Sequence, residues 1–173
     1  FYRIAAIGSV LVSIVGILQF AGINFLGFYD KLEFSQKLFY ISTLGHVDVY
    51  TSYFALTIPV LFIKYLHSTA PKEKFFYLTA LITNGAGVVC GQCDSAYIVI
   101  FASIFLTLIF GKCRDKRVRI SEVILPLVLI EVIVKVLLKV NDNAKEVRIV
   151  STFTKALFND KAILILAVIL GIS

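Results

Sequence analysis

"STLGHVDVYTSYFALTIPV", residues 42–60, opens as a polar turn and closes as an apolar helix. An Asp just ahead of such a run is a favourable N-cap, because its carboxylate accepts a bond from an orphan backbone amide of the first turn. Asp48 is therefore expected to cap a helix over residues 49–66, with Gly45 making the turn and Tyr50 and Tyr53 at a membrane interface. His46 has no such structural reason. An imidazole titrates near pH 6.5, so His46 is a candidate catalytic base, or a donor to a phosphate or sugar hydroxyl.

Working outward, further apolar runs recur on the scale of a bilayer. A helix rising 1.5 Å per residue needs about 20 apolar residues to cross a hydrocarbon core of about 30 Å, or somewhat fewer where the bilayer adapts. Residues 4–23, 49–66, 75–89, 96–110 and 120–140 qualify, and another run begins near residue 162. The expectation is an all-α, polytopic transmembrane bundle of five to six spans, one domain over residues 1–173. Pro59, Pro71 and Pro126 fit membrane helices, in which neighbours satisfy the freed carbonyls. No strand ladder, repeat or low-complexity tract is expected.

Composition excludes an ordinary soluble domain. The chain is 59% hydrophobic and 16% charged, with mean hydropathy +0.92; soluble domains carry about 25% charged residues. It has no Met and begins inside an apolar run without a signal-peptide pattern. The expectation is a piece of a longer protein. A net charge of +6 is read as the positive-inside bias of a membrane protein, with membrane lipids and not nucleic acid as its counterpart. Lys64, Lys72 and Lys74 lie in one connection, and Lys112, Arg114, Lys116, Arg117 and Arg119 in another, while residues 91–95 carry none. Loops 64–74 and 111–119 are expected in the cytoplasm, with residues 24–48, 91–95 and 141–161 outside. Lys145, Arg148, Lys155 and Lys161 in the last of these dilute the asymmetry.

Cys90 and Cys93 form a C-x-x-C pair, but no βαβ pattern surrounds it and no second pair or spaced His completes a zinc site. They are read as small residues near a helix end; no metal and no cofactor is expected.

The order of "GILQFAGINFLGF", "TLGHVDVYTSYFALTIPVLF", a basic connection, an apolar span, "GQCDSAYIVIFASIFL" and a second basic connection resembles the bacterial O-antigen ligase and polymerase family, over about residues 14–119. In that family a Gln-bearing helix end precedes a Gly-Asn-Pro-Asn turn, and a later Ser-Arg-Gly turn opens another helix. Here His46, Val47 and Asp48 replace Asn-Pro-Asn, and Cys93, Asp94 and Ser95 replace Ser-Arg-Gly. An Arg there suits a pyrophosphate through its bidentate fork, which Asp94 cannot supply. Asp94 is either a cap for a helix beginning at Ser95 or Ala96, or a partner for sugar hydroxyls.

The resemblance implies an integral protein of the bacterial cytoplasmic membrane that transfers or polymerises glycan. The donor would be an undecaprenyl-pyrophosphate-linked oligosaccharide on the outer face, the acceptor a glycan or lipid hydroxyl. Basic groups would stabilise the departing pyrophosphate. The family's catalytic residues lie largely on a late external loop, and the chain is expected to stop before it. The implied substrate contacts are Asp48, Asp94 and Arg148. Arg148 belongs to a segment in which Val147, Val150, Leu157 and Phe158 form the stripe of an interfacial helix, or to a plain solvated loop.

A transporter or permease is the rival reading. Glu131 and Lys135, at i and i+4, and Asn84 would line a polar path, since intramembrane charges are functional candidates. Asn84 beside Gly85 and Gly87 also suits an interhelical hydrogen bond.

Overall fold

Helix α1 (Tyr2–Phe20) buries its small residues and exposes its large ones. Its buried positions are Ala6, Ser9, Ser13, Gly16 and Phe20, alternately three and four residues apart, whereas Ile4, Ile7, Leu11 and Ile14 face outward. In water this arrangement is inverted, because buried Ser and exposed Ile forfeit burial of apolar area. In hydrocarbon outward Ile costs nothing, and small inward residues let helix backbones approach closely.

The computed structural model describes residues 1–28, 30–33, 39–110, 125–130, 132–133 and 135–136. This part is mostly helical. After α1 come two short antiparallel strands, β1 (Tyr40–Ile41) and β2 (Gly45–His46), then α2 (Val47–His67), α3 (Pro71–Gly91) and α4 (Asp94–Phe110). Residues 125–130 are also helical, and Ile130 covers Gly85 of α3 so closely that a methyl group at Gly85 would collide with it.

On α3 the residues shown against this stripe are also small or polar: Asn84 reaches Ser9 and Gly87 lies against Ser13. The two helices run parallel, with Arg3 beside Glu73, Ser9 beside Asn84, and Ser13 Oγ donating to the Thr83 carbonyl at 2.6 Å. Helix α2 runs the other way, Tyr50 near its start meeting Gly16 and Lys64 near its end meeting Tyr2. Tyr50 occupies a slot made by Gly16, Gly87 and Gly91, where a Cβ would strike its ring or hydroxyl. Its ring meets Phe54 edge to face at 4.8 Å. The expectation that Tyr50 sits at an interfacial belt is thus corrected: three glycines open the helix interface to a full phenol, and Tyr50 is wholly buried.

The helix ends have local causes. Ala70, before Pro71, is extended at ψ 127 and Pro71 opens α3 at its first turn. Gln92 closes α3 in the left-handed region at φ 51. Helix α2 carries Pro59 inside it without interruption.

The expected spans are met in part. Residues 4–23, 49–66, 75–89 and 96–110 correspond to Tyr2–Phe20, Val47–His67, Pro71–Gly91 and Asp94–Phe110. Among the described residues, however, two helices, α1 and α2, are long and apolar enough to cross a membrane, so five to six spans is more than this structure supports. The polar first turn and interior Asn and Gly of α3 lower its hydropathy, and α4, at 17 residues, falls short of the about 20 of a straight span. The run over 120–140 is only partly described, and the one from residue 162 lies outside the described residues. Two strands also appear where no ladder was expected; they are short enough to leave no periodic signal.

Candidate polar end and its site

Gln19, at the last turn of α1, joins the loop segments at this end. Its Oε1 accepts from the Ser42 amide, and its Nε2 donates to Asn24 Oδ1 at 3.3 Å. Asn24 in turn donates to the Phe28 carbonyl at 2.7 Å and to Asp30 at 2.5 Å. Ser42 is wholly buried, its hydroxyl donating to the Val12 carbonyl at 2.7 Å. Ser42 at φ 58 and Gly45 at φ 84 turn the chain so that Tyr40 pairs with His46 and Ile41 with Gly45. The Val47 amide then donates to the Phe39 carbonyl at 2.9 Å, and α2 begins directly.

That early start moves the cap from Asp48 to His46. His46 is the N-cap, extended at φ −62 and ψ 140, and its Nδ1 accepts from the Asp48 amide at 3.3 Å. Asp48 lies inside the first turn with an exposed side chain, where its charge complements the helix dipole but caps nothing. Its Oδ2 stands 3.4 Å from the same His46 Nδ1. One nitrogen thus has two partners: unprotonated it accepts from the Asp48 amide, and protonated it donates to the Asp48 carboxylate. Phe39 stacks on the imidazole at 6.2 Å and Tyr40 meets it edge-on at 6.0 Å.

The turn after α3 arrives at the same place. Cys93 Sγ donates to Asp48 Oδ1 at 3.5 Å and shares a contact of 3.0 Å with Ser95 Oγ. Helix α4 begins at Asp94, with the Ala96 amide donating to the Cys93 carbonyl at 3.2 Å. Asp94 therefore sits in the first turn, correcting its expected place as a cap; the turn is one residue tighter than the sequence implied. Cys90 is buried as a small core residue, whereas Cys93 is half-buried and bridges two helix starts. Below it a cleft of about 250 Å³ opens between α2 and α4, lined by Ser52, Ala55, Leu56, Ser95, Ala96 and Val99.

His46, Asp48, Cys93 and Ser95 thus form one connected polar chain, with Asp94 on the same turn. Arg148 and Glu131 lie outside the described residues. Asn84 stands apart, wholly buried between α1 and α3 with its Nδ2 donating to Ser9 Oγ at 2.8 Å, in keeping with an interhelical bond. Sequence reading took Cys93 as a small residue near a helix end and gave Ser95 and Gln19 no contact of their own; only the place of Gln19 at a helix end beside a polar loop signalled its clamp. Among the described residues, no group of three His, Cys, Asp or Glu side chains is arranged to hold a metal ion. Comparison of the chain with known protein families, curated proteins and solved structures finds no match.

Proposed function

We propose that this chain is the membrane-embedded part of an enzyme of surface polysaccharide assembly, of the O-antigen ligase and polymerase type. The reading is carried by one observation: the segments around Gln19, residues 42–48 and residues 91–95, far apart in sequence, meet at one end of the bundle. These are the segments on which the resemblance rests. The inverted polarity of α1 supports a bilayer as its surroundings, and α3 and α4 complete a multi-pass bundle in the bacterial cytoplasmic membrane.

In this reading the polar end faces outward and handles the acceptor. With Nδ1–H held by Asp48, the imidazole of His46 has its Nε2 lone pair available to take the proton of an acceptor hydroxyl. The freed oxygen bonds to the anomeric carbon of the lipid-linked sugar, the bond from that carbon to the pyrophosphate oxygen breaks, and the pyrophosphate lipid leaves. Basic groups such as Arg148 would neutralise the charge on the leaving group. Asp48 and Asp94 would accept from sugar hydroxyls.

The test separates chemistry from capping in the full-length protein. His46→Asn keeps an N-cap acceptor and removes the base. It is expected to reduce glycan product from lipid-linked substrate by about 10²–10⁴-fold at normal protein level. Wild-type product from His46→Asn would reduce His46 to a cap and remove it from the chemistry.

A further inference from the structure

The starts of α2 and α4 meet at Asp48 through a thiol. Cys93 donates from Sγ to Asp48 Oδ1 at 3.5 Å, and Ser95 Oγ stands 3.0 Å from the sulfur. The other carboxylate oxygen, Oδ2, is the one 3.4 Å from His46 Nδ1. Asp48 is thereby divided between two neighbours, one from each helix start. The imidazole is held in its turn, stacked on Phe39 and met edge-on by Tyr40. Cys93 is a free thiol, and Cys90, its neighbour in the C-x-x-C pair, lies in the core. Without the tie to Cys93, Asp48 is an exposed side chain on a first helical turn, able to leave for another staggered rotamer. His46 Nδ1 would then keep only the Asp48 amide, 3.3 Å away, toward which it must be an unprotonated acceptor. The ring proton would sit on Nε2 and leave no lone pair there.

We propose that Cys93 is a positioning residue that sets the tautomer of His46. Held by the thiol, Asp48 keeps Oδ2 against Nδ1. A hydrogen bond to an ionised group is roughly twice as strong as one between neutral groups, so the carboxylate outcompetes the amide for that nitrogen. Nδ1 carries the proton and donates it to Oδ2, and Nε2 keeps its lone pair. Ser95 supports the arrangement: because the S–H is committed to Asp48, the Ser95 hydroxyl is the donor in its contact with the sulfur. The released Asp48 amide, on a first helical turn, is one of the orphan donors that water satisfies. What this tautomer does for glycan transfer rests on the reading of His46 as a base; the tautomer itself does not.

The full-length protein, labelled with nitrogen-15 histidine, is placed in lipid bilayers and its imidazoles are read by magic-angle-spinning NMR. The pH is about 7.5, roughly a unit above the ordinary titration of an imidazole and a unit below that of a thiol. The His46 resonances are those that His46→Asn removes. Wild type is expected to carry its proton on Nδ1. Cys93→Ala is expected to move the ratio of Nδ1–H to Nε2–H forms toward Nε2–H by about ten-fold, whereas Cys93→Ser keeps a donor and with it the wild-type tautomer. Glycan product should fall in Cys93→Ala in proportion to the Nδ1–H fraction and return in Cys93→Ser. A wild-type His46 that is Nε2–H or doubly protonated, or the same tautomer in Cys93→Ala as in wild type, overturns the proposal. The wild-type spectrum needs no substitution, so it decides even where a variant folds poorly. Wild-type product from His46→Asn removes the transfer reading alone, and the spectrum still decides the tautomer.

Discussion

Gln19 shows how one side chain fixes a site it does not belong to. Its carboxamide has an acceptor and donors, and here the acceptor meets the amide of a wholly buried Ser42 while a donor meets Asn24. Gln19→Ala leaves that Ser42 amide without its acceptor, a cost of about 1–3 kcal/mol. The expected outcome is a lower thermal midpoint together with faster hydrogen exchange across residues 39–46; an unchanged midpoint would show the hairpin to be held by β1 and β2 alone. His46 teaches a related lesson. Which residue caps α2 depends on where the preceding turn ends, and that turn uses Ser42 at φ 58, a conformation that a Ser does not advertise. Asp48 had the better capping chemistry in the sequence, yet His46 had the position. The tie from Asp48 to Cys93 was illegible for a simpler reason: nothing in either segment encodes a contact made across 45 residues.

Helices α1 and α3 show why the existence of elements could be read and their packing could not. Residues 49–66 were legible as a helix because a hydropathy run needs no partner to be recognised, and Val47–His67 extends that expectation by only a residue or two at each end. The buried stripe of α1 carries Ala, Ser and Gly, so an apolar periodicity points to its wrong face. Packing here runs through close backbone approach, and two hydrogen bonds cross it, from Asn84 to Ser9 at 2.8 Å and from Ser13 to the Thr83 carbonyl at 2.6 Å. Such bonds in membrane helices average about 0.6 kcal/mol and reach about 1.7. A double-mutant cycle of Ser9→Ala and Asn84→Ala is expected to return a coupling in that range. Gly87→Leu should cost more, about 1–3 kcal/mol or beyond, since even a Cβ there would meet Ser13 Oγ and the Tyr50 hydroxyl. If instead Gly87→Leu were the milder change, close approach would not be what holds these helices together, and the hydrogen bond would take precedence.

For the molecule as a whole, length and polarity agree. A helix of 21 residues such as α2 is roughly 30 Å long, the thickness of a hydrocarbon core. The ends of the bundle divide cleanly. Residues 42–48 and 91–95 meet at one end, while Arg3, Lys64 and Glu73 meet at the other. A soluble bundle has no need of such a division, and its outer helix faces would not present Ile4, Ile7, Leu11 and Ile14 to water. Cysteine accessibility measures the arrangement directly. In full-length protein with Cys90, Cys93 and Cys113 changed to Ser, Thr43→Cys and Lys72→Cys each place one thiol at an exposed position at opposite ends. A membrane-impermeant maleimide applied to intact cells is expected to label the thiol at position 43 and to reach the one at position 72 only after permeabilisation. Labelling at 72 alone would invert the orientation and turn His46 away from an external substrate. Labelling of both in intact cells would mean that α2 does not cross the membrane, because its two ends would then lie in the same water.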